Sequence, residues 1–297
     1  LVLNFEGREV GRLPMAFLHD GIPMPTREAT WSPGELARSQ MGNGPNQEDD
    51  IERTLLELLA HPNIASKRWI VRQYDHEVQG NTVLKPLVGE GGIGPGDAAV
   101  IQPVPGSDKG LAIGCGLQVP VGDRDAGGDP YRMALAAIDE CVRNLVCVGA
   151  DPERIAILDN FCWPSCAKPE NLGALVRAAE GCYDGAKAYR TPFVSGKDSL
   201  NNQFRTEDGR LIEIPPTLLI TGIGIVQDVT KCVTMDAKRA GNVLVAVRSN
   251  ENGPTVARSV ASLIREGRVY AAHDISEGGL AVAVAEMLVA TEGMEQR

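Results

Sequence analysis

The stretch Thr191-Pro192-Phe193-Val194-Ser195-Gly196-Lys197-Asp198-Ser199-Leu200-Asn201-Asn202 sets an ammonium, a carboxylate and a hydroxyl side by side after a short apolar run. Lys197 can neutralise phosphate charge, Asp198 can hold a hard cation through oxygen, and Ser199 can hydrogen-bond an oxyanion. Pro192 to Val194 reads as a buried strand, and Ser195-Gly196 as a sharp turn where a phosphate can approach the backbone. Charged residues at such a strand end mark the rim where α/β sheets carry ligands. The plain alternative is a polar turn leaving a strand. The stretch is not a P-loop, which needs Gly five residues before Gly196 and Ser or Thr after Lys197; Thr191 and Asp198 stand there.

Four other clusters could do chemistry. In Gln73-Tyr74-Asp75-His76-Glu77 a histidine beside carboxylates reads as a base or ligand, or as a solvated surface or subunit contact. Asp97 closes the Gly-rich run Gly89 to Gly96 and can approach a cation, or bond its own backbone as a turn residue. Asp159 follows the strand-like Arg154 to Leu158 as Asp198 follows its own run, so neighbouring strands would give the two carboxylates a shared edge. His273-Asp274-Ile275-Ser276-Glu277-Gly278-Gly279 ends a strand-like run and opens a helix from Leu280 to Val289, where free N–H groups suit an anion. Cys162 and Cys166 are four apart, but no second pair or nearby His completes a zinc site.

The elements that must position these residues alternate. Val2 to Phe5 and Glu9 to Leu13 read as a hairpin turning at Glu6-Gly7-Arg8, and Met15 to Leu18 continues the apolar run. Pro23, Pro25, Pro33, Gly42, Gly44 and Pro45 mark a linker. Asp49-Asp50 starts a helix carrying Ile51, Leu55, Leu58 and Leu59 that Pro62 stops, and Trp69-Ile70-Val71 reads as a strand. Ala98 to Pro103 and Leu111 to Gly114 are β-like, on either side of a turn. Asp129-Pro130 is a cap followed by an N1 proline, and the stripe Met133, Ala134, Ala137, Ile138, Cys141, Leu145 and Val146 ends at Gly149. Glu170 to Tyr189 is a helix with Leu172, Leu175, Val176, Ala179, Cys182, Tyr183 and Ala186 inward. Beyond a turn at Arg205 to Gly209 come strands at Pro216 to Val226, Val243 to Val247 and Val269 to Ala272, with a helix from Val256 to Arg265.

The whole chain bounds the class. Its 297 residues suit about two domains, and 43% hydrophobic with 23% charged residues is ordinary for a globular protein. A net charge of −10 argues against a nucleic-acid partner, whose affinity rests on basic patches. No apolar run reaches the roughly 18 residues of a membrane span. The seven cysteines are odd in number and scattered, which predicts reduced thiols and a cytoplasmic setting. With Leu1 first, the chain reads as an internal piece of a longer protein.

Five motifs then stand in register: Tyr74-Asp75-His76-Glu77-Val78-Gln79, Asp129-Pro130-Tyr131, Ile157-Leu158-Asp159-Asn160-Phe161, Ser195-Gly196-Lys197-Asp198-Ser199 and His273 to Gly279. Together they resemble the synthetase subunit of phosphoribosylformylglycinamidine synthase. The resemblance implies an α/β (α+β) fold: an aminoimidazole-ribonucleotide-synthetase-like N-terminal half followed by part of its C-terminal half. It makes residues 1–31 the tail of a preceding repeat, 32–62 a linker and helix, 63–230 the N-terminal-type domain and 231–297 a truncated C-terminal-type domain. Set beside the family it resembles, the connection from Val247 to Pro254 looks shorter.

The implied reaction is ATP-dependent amidine formation in purine synthesis. ATP phosphorylates the formamide oxygen of formylglycinamide ribonucleotide, and ammonia displaces the phosphate. The implied cofactors are ATP and Mg2+; the implied partners are a glutaminase subunit, a small accessory subunit and the small-molecule substrate. By resemblance Asp159 and Gly196 meet ATP, Ser199 meets substrate, and Asp198 is the metal ligand, since Lys197 occupies the place where many members carry a ligating Asn. The family's catalytic His lies in a first repeat that this chain does not include, so no catalytic residue is assigned here. A non-catalytic nucleotide-binding module of the same fold is the alternative. Sister enzymes, such as thiamine-phosphate kinase or selenophosphate synthetase, lack the combination of Tyr74-Asp75-His76-Glu77 with Gly196-Lys197-Asp198-Ser199.

Overall fold

The computed structural model describes residues 1–21, 24–34, 51–73, 77–248 and 253–291. Tyr74, Asp75 and His76, the linker glycines, and the helix start at Asp49-Asp50 therefore lie outside the described residues. The first hairpin forms as its composition predicts. Strands β1 (Val2–Phe5) and β2 (Arg8–Arg12) meet at Glu6 and Gly7, whose φ values of 48° and 75° make the two-residue turn that suits strand twist. The apolar run beyond is a short helix, α1 (Met15–Asp20), because Pro14 O takes the N–H groups of Phe17 and Leu18. Helix α2 (Ile51–Ala60) ends before Pro62. The expected strand at Trp69–Val71 is a single helical turn, α3 (Arg68–Val71): Lys67 O accepts from Ile70 N at 2.9 Å and Val71 N at 3.0 Å. Three apolar residues in a row carry no period that separates the two outcomes.

The centre is a six-stranded sheet. In chain order follow β3 (Thr82–Leu84), the short pair β4 (Leu87–Val88) and β5 (Gly94–Pro95), β6 (Ala99–Ile101), β7 (Gly110–Leu117), a helical turn α4 (Val119–Gly122) and the long helix α5 (Pro130–Cys147). Then come β8 (Ile155–Cys162), α6 (Pro169–Tyr189), β9 (Phe193–Ser199), the hairpin β10 (Gln203–Arg205) with β11 (Leu211–Glu213), and β12 (Thr217–Val226). The sheet order is β3-β6-β7-β12-β8-β9. All neighbours are antiparallel except β8 and β9, whose parallel pairing needs the crossover that α6 supplies.

Asp129 caps α5 by accepting from Tyr131 N at 3.0 Å. The stripe read from the sequence is buried: Met133, Ala137, Ile138, Cys141 and Leu145 join Val100, Ala112, Ile157, Leu218 and Ile220 in one core. Helix α6 keeps part of its expected face: Cys182 is buried and Leu172, Leu175 and Ala186 pack against the core, while Val176, Ala179 and Tyr183 are exposed. Gly173, Ala174, Ala178, Gly181, Cys182 and Gly185 are buried, while Val176 and Tyr183 are 45% and 63% exposed. The small residues seat α6 through its backbone, since a Cβ on Gly181 would run into Tyr131 O and one on Gly185 into Ile138. A count of large apolar side chains finds part of the inner face of such a helix and misses the glycines and alanines that complete it.

Helices α7 (Gly253–Arg265) and α8 (Gly279–Val289) complete the described chain. The expected strands at Val243–Val247 and Val269–Ala272 are absent. The first is irregular and exposed, and the second makes one bridge, Ala271 to Thr234. A strand needs a partner to bury a face, and no described element pairs with Val243–Val247. The end of α8 docks on the Gly-rich loop: Glu90 N donates to Ala290 O at 3.0 Å, and Gly89, at φ 72°, sits where a Cβ would overlap that carbonyl.

Candidate functional site

The Gly196–Ser199 segment is strand, not turn. β9 runs on to Ser199, and Gly196 is not among the glycines with positive φ. Its partner β8 likewise runs past Leu158, so Asp159 stands inside a strand rather than beyond its end. Parallel register then fixes the site. Asp159 pairs with Gly196, Asn160 with Lys197, Phe161 with Asp198 and Cys162 with Ser199. Side chains alternate across a strand, so Asp159, Gly196 and Asp198 share one face and Lys197 and Ser199 the other. The first is the helix-covered face: the thiol of Cys182 on α6 feels the Asp159 charge.

Gly196 leaves the space that the Asp159 carboxylate occupies. A Cβ would overlap Asp159 Oδ1, so the carboxylate lies against bare backbone. Burial raises the Asp159 pKa above the ordinary carboxylate value and the charge of Asp198 adds to the rise, against bonds from the backbone N–H groups of Asp159 and Lys197. Two carboxylates whose charges oppose each other, in hard-oxygen chemistry, fit a divalent cation. On the other face Lys197 Nζ donates to Ser199 Oγ at 2.7 Å. A Lys has no lone pair for a metal when charged. The Ser199 carbonyl is pinned by Trp163 N at 2.8 Å and Asn202 Nδ2 at 3.0 Å. Residues 194–198 are exposed, so this edge strand is open to ligand.

A second cluster lies toward the other side of the sheet. Asp97 Oδ1 faces His273 Nδ1 at 2.9 Å and accepts from Asp274 N at 2.8 Å, while His273 Nε2 faces Glu286 Oε2 at 3.0 Å. The Asp97 and His273 side chains are 1% and 7% exposed. Asp97 thus neither turns on its own backbone nor stands open; it ties the segment before β6 to the loop before α8. Burial works against charge on His273, but the two carboxylates more than offset it and hold its pKa up to about 10. Burial and then Asp97 raise Asp274 to about 6, against Arg143 and His273. Ligand atoms of Asp97, His273 and Asp274 lie within 4.8 Å of one another. Both ring nitrogens of His273 are spent on carboxylates, so the oxygens of Asp97 and Asp274 are the donors a hard cation would find. The sequence holds the signal for this grouping in Asp97 and in His273-Asp274, but not their contact across 176 positions.

The AIR synthase related protein N-terminal domain matches residues 95–226 and the corresponding C-terminal domain residues 226–295. The phosphoribosylformylglycinamidine synthase subunit PurL of Deinococcus radiodurans is 37% identical over 97% of this chain and 41% of its own length. The PurL of Alkaliphilus metalliredigens is 34% identical over 96% of this chain and 40% of its own length. The chain therefore spans about two-fifths of the length of the curated relatives it matches. Thermotoga maritima PurL complexed with FGAR shares the fold, with a TM-score of 0.52 at 20% identity over 90% of this chain and 37% of that one. The same protein complexed with ATP gives 0.51 at 21% identity, over 90% and 38%. With both domain models matched in unbroken order over 95–295, and PurL subunits as its relatives, the chain belongs to the AIR synthase related protein family.

Proposed function

We propose that this chain is the second-repeat portion of a phosphoribosylformylglycinamidine synthase, the ATP-dependent ligase that converts formylglycinamide ribonucleotide to formylglycinamidine ribonucleotide. The register of β8 on β9 carries the reading, because it lays Asp159 against Gly196 and puts Asp198 on the same face. In this proposal Asp159 and the Gly196 backbone meet ATP, Asp198 holds Mg2+, and Ser199, oriented by Lys197, meets the substrate. The bound cation would neutralise charge on the transferring phosphoryl group. The protein's part is to hold the carboxylates on one face, the hydroxyl on the other, and the edge strand between them. The complete enzyme would take ammonia from a glutaminase subunit, include a small accessory subunit and work in the cytoplasm. The domain division at 63–230 and 231–297 belongs to the same proposal, and by it the isolated chain makes no product. Among the described residues no helix is long and apolar enough to cross a membrane.

The experiment is made in the full-length protein, with ATP, formylglycinamide ribonucleotide and ammonia. Asp159→Asn is expected to raise the KM for ATP or lower turnover with the melting temperature unchanged. Unchanged ATP affinity and rate would show that Asp159 is only a strand residue. The second reading, a nucleotide-binding module without catalysis, draws on the buried Asp97–His273–Asp274 cluster, whose carboxylates suit a cation away from the exposed edge. Under it, nucleotide would co-purify with the full-length protein and be released by Asp274→Asn.

A further inference from the structure

We propose that Tyr189, Asp139 and Arg143 act as a relay of positioning residues that fixes Asp274, and through it the 273–279 loop. Four segments converge here. Arg143 and Asp139 lie one turn apart on α5, Tyr189 is the last residue of α6, Gly253 is the first of α7, and Asp274 opens the loop into α8. The Arg143 guanidinium forks. Nη1 bonds Asp139 Oδ2, and Nη2 reaches Asp274 Oδ2 at 3.4 Å. The other Asp139 oxygen, Oδ1, accepts from the Tyr189 hydroxyl. Each Asp139 oxygen thus has its own donor, which fixes the carboxylate plane and so the direction in which Arg143 points. Gly253 presses on this pair so closely that a Cβ would overlap both Tyr189 Oη and Asp139 Oδ1.

Asp274 is held from two sides. Its N–H is on Asp97 and its carboxylate, 6% exposed, is on Arg143. A charge so buried needs a partner. Lys could not replace Arg143, because one ammonium does not bridge two carboxylates in a fixed fork. Two residues on, the chain is exposed at Ser276 and Glu277, then turns through Gly278 and Gly279 at φ 82° and 73° into α8. The relay anchors the buried end of a loop whose other end presents helix N–H groups. Its use in ligand binding rests on the nucleotide reading above; the anchoring itself does not.

Amide hydrogen exchange of the full-length protein, without nucleotide or metal, tests the anchoring apart from any ligand. Tyr189→Phe removes one hydroxyl far along the chain from the loop. It is expected to speed exchange in a peptide spanning 273–280 by about threefold or more while leaving β8 unchanged. Arg143→Lys should do the same, and the double variant should exchange no faster than Arg143→Lys alone, because a relay broken at Arg143 no longer feels Tyr189. Unchanged exchange at 273–280 in Tyr189→Phe, or effects of the two changes that multiply, would overturn the relay.

Discussion

Gly196 and Asp159 face each other across two parallel strands with no room for a side chain between them: any Cβ at Gly196 would overlap Asp159 Oδ1. The glycine is therefore a packing requirement of the carboxylate, not a turn. Gly196→Ala must push the carboxylate off its bonds to the backbone N–H groups of Asp159 and Lys197. The expected cost in urea unfolding is about 1–3 kcal/mol, as for other overpacked sites. Asp159→Ala should rescue most of that loss in the double variant. Equal stability of Gly196→Ala and the parent would show that the carboxylate is free to move aside.

His273 gives the protein a pH dependence with a definite sign. Its folded pKa, about 10, lies above that of an unperturbed imidazole, about 6.5. The stability it contributes is full below the unfolded value and is lost as pH rises through about 10. In chelator, the melting temperature of the full-length protein should fall between pH 7 and pH 10 by more than that of His273→Gln. Asp274, raised to about 6, works at lower pH: its burial penalty grows as pH rises from the ordinary carboxylate value through about 6. Parallel melting curves for His273→Gln and the parent across pH 7 to 10 would mean that His273 carries no charge in the fold.

Asp129 does two jobs at the start of α5. One oxygen caps Tyr131 N, and the other accepts from Arg177 Nη2 at 2.6 Å, with the Arg177 guanidinium 5.0 Å from the Tyr131 ring. Asp129→Asn keeps a cap and weakens the ion pair, whereas Asp129→Ala loses both. The alanine variant is expected to lose about 1–2 kcal/mol, the scale of a lost cap, and the asparagine variant less. An alanine variant no less stable than the asparagine one would place the whole effect outside the cap.

The sequence revealed what is carried by local chemistry. The Asp129-Pro130 cap, the α5 stripe and the Glu6-Gly7 turn follow from residues near one another in the chain; that Asp159 and Asp198 share an edge followed only if their strands were neighbours, and the pairing of β8 with β9 meets that condition. Edge-strand geometry was not legible. Polar residues from Ser195 to Ser199 look like a turn, yet an edge strand open to solvent accepts charged side chains, which also discourage pairing with another edge. The α6 face was legible only in part: Leu172, Leu175, Cys182 and Ala186 pack inward as expected, but the close contacts beside them are made by glycine and alanine. The Asp97–His273 contact was out of reach because nothing local relates two residues 176 apart.

Lys197 and Asp198 are neighbours in sequence but sit on opposite faces of β9, which separates the roles proposed for them. Asp198 shares its face with Asp159, whose raised pKa already registers the Asp198 charge. Lys197 is turned away and donates to Ser199. By the function proposed above, removing the Asp198 charge should raise the magnesium concentration that the full-length protein needs, and Asp159→Asn should shift the same curve in the same direction. Lys197→Met should leave the magnesium curve in place and instead resemble Ser199→Ala, raising the KM for the substrate, because it frees the hydroxyl that Lys197 holds. Rate against magnesium at saturating ATP, and rate against substrate at saturating magnesium, read the two faces separately. A normal magnesium curve for Asp198→Asn would remove it from the metal site. A Lys197→Met variant that copies Asp198→Asn would show that the two faces of the strand act as one site.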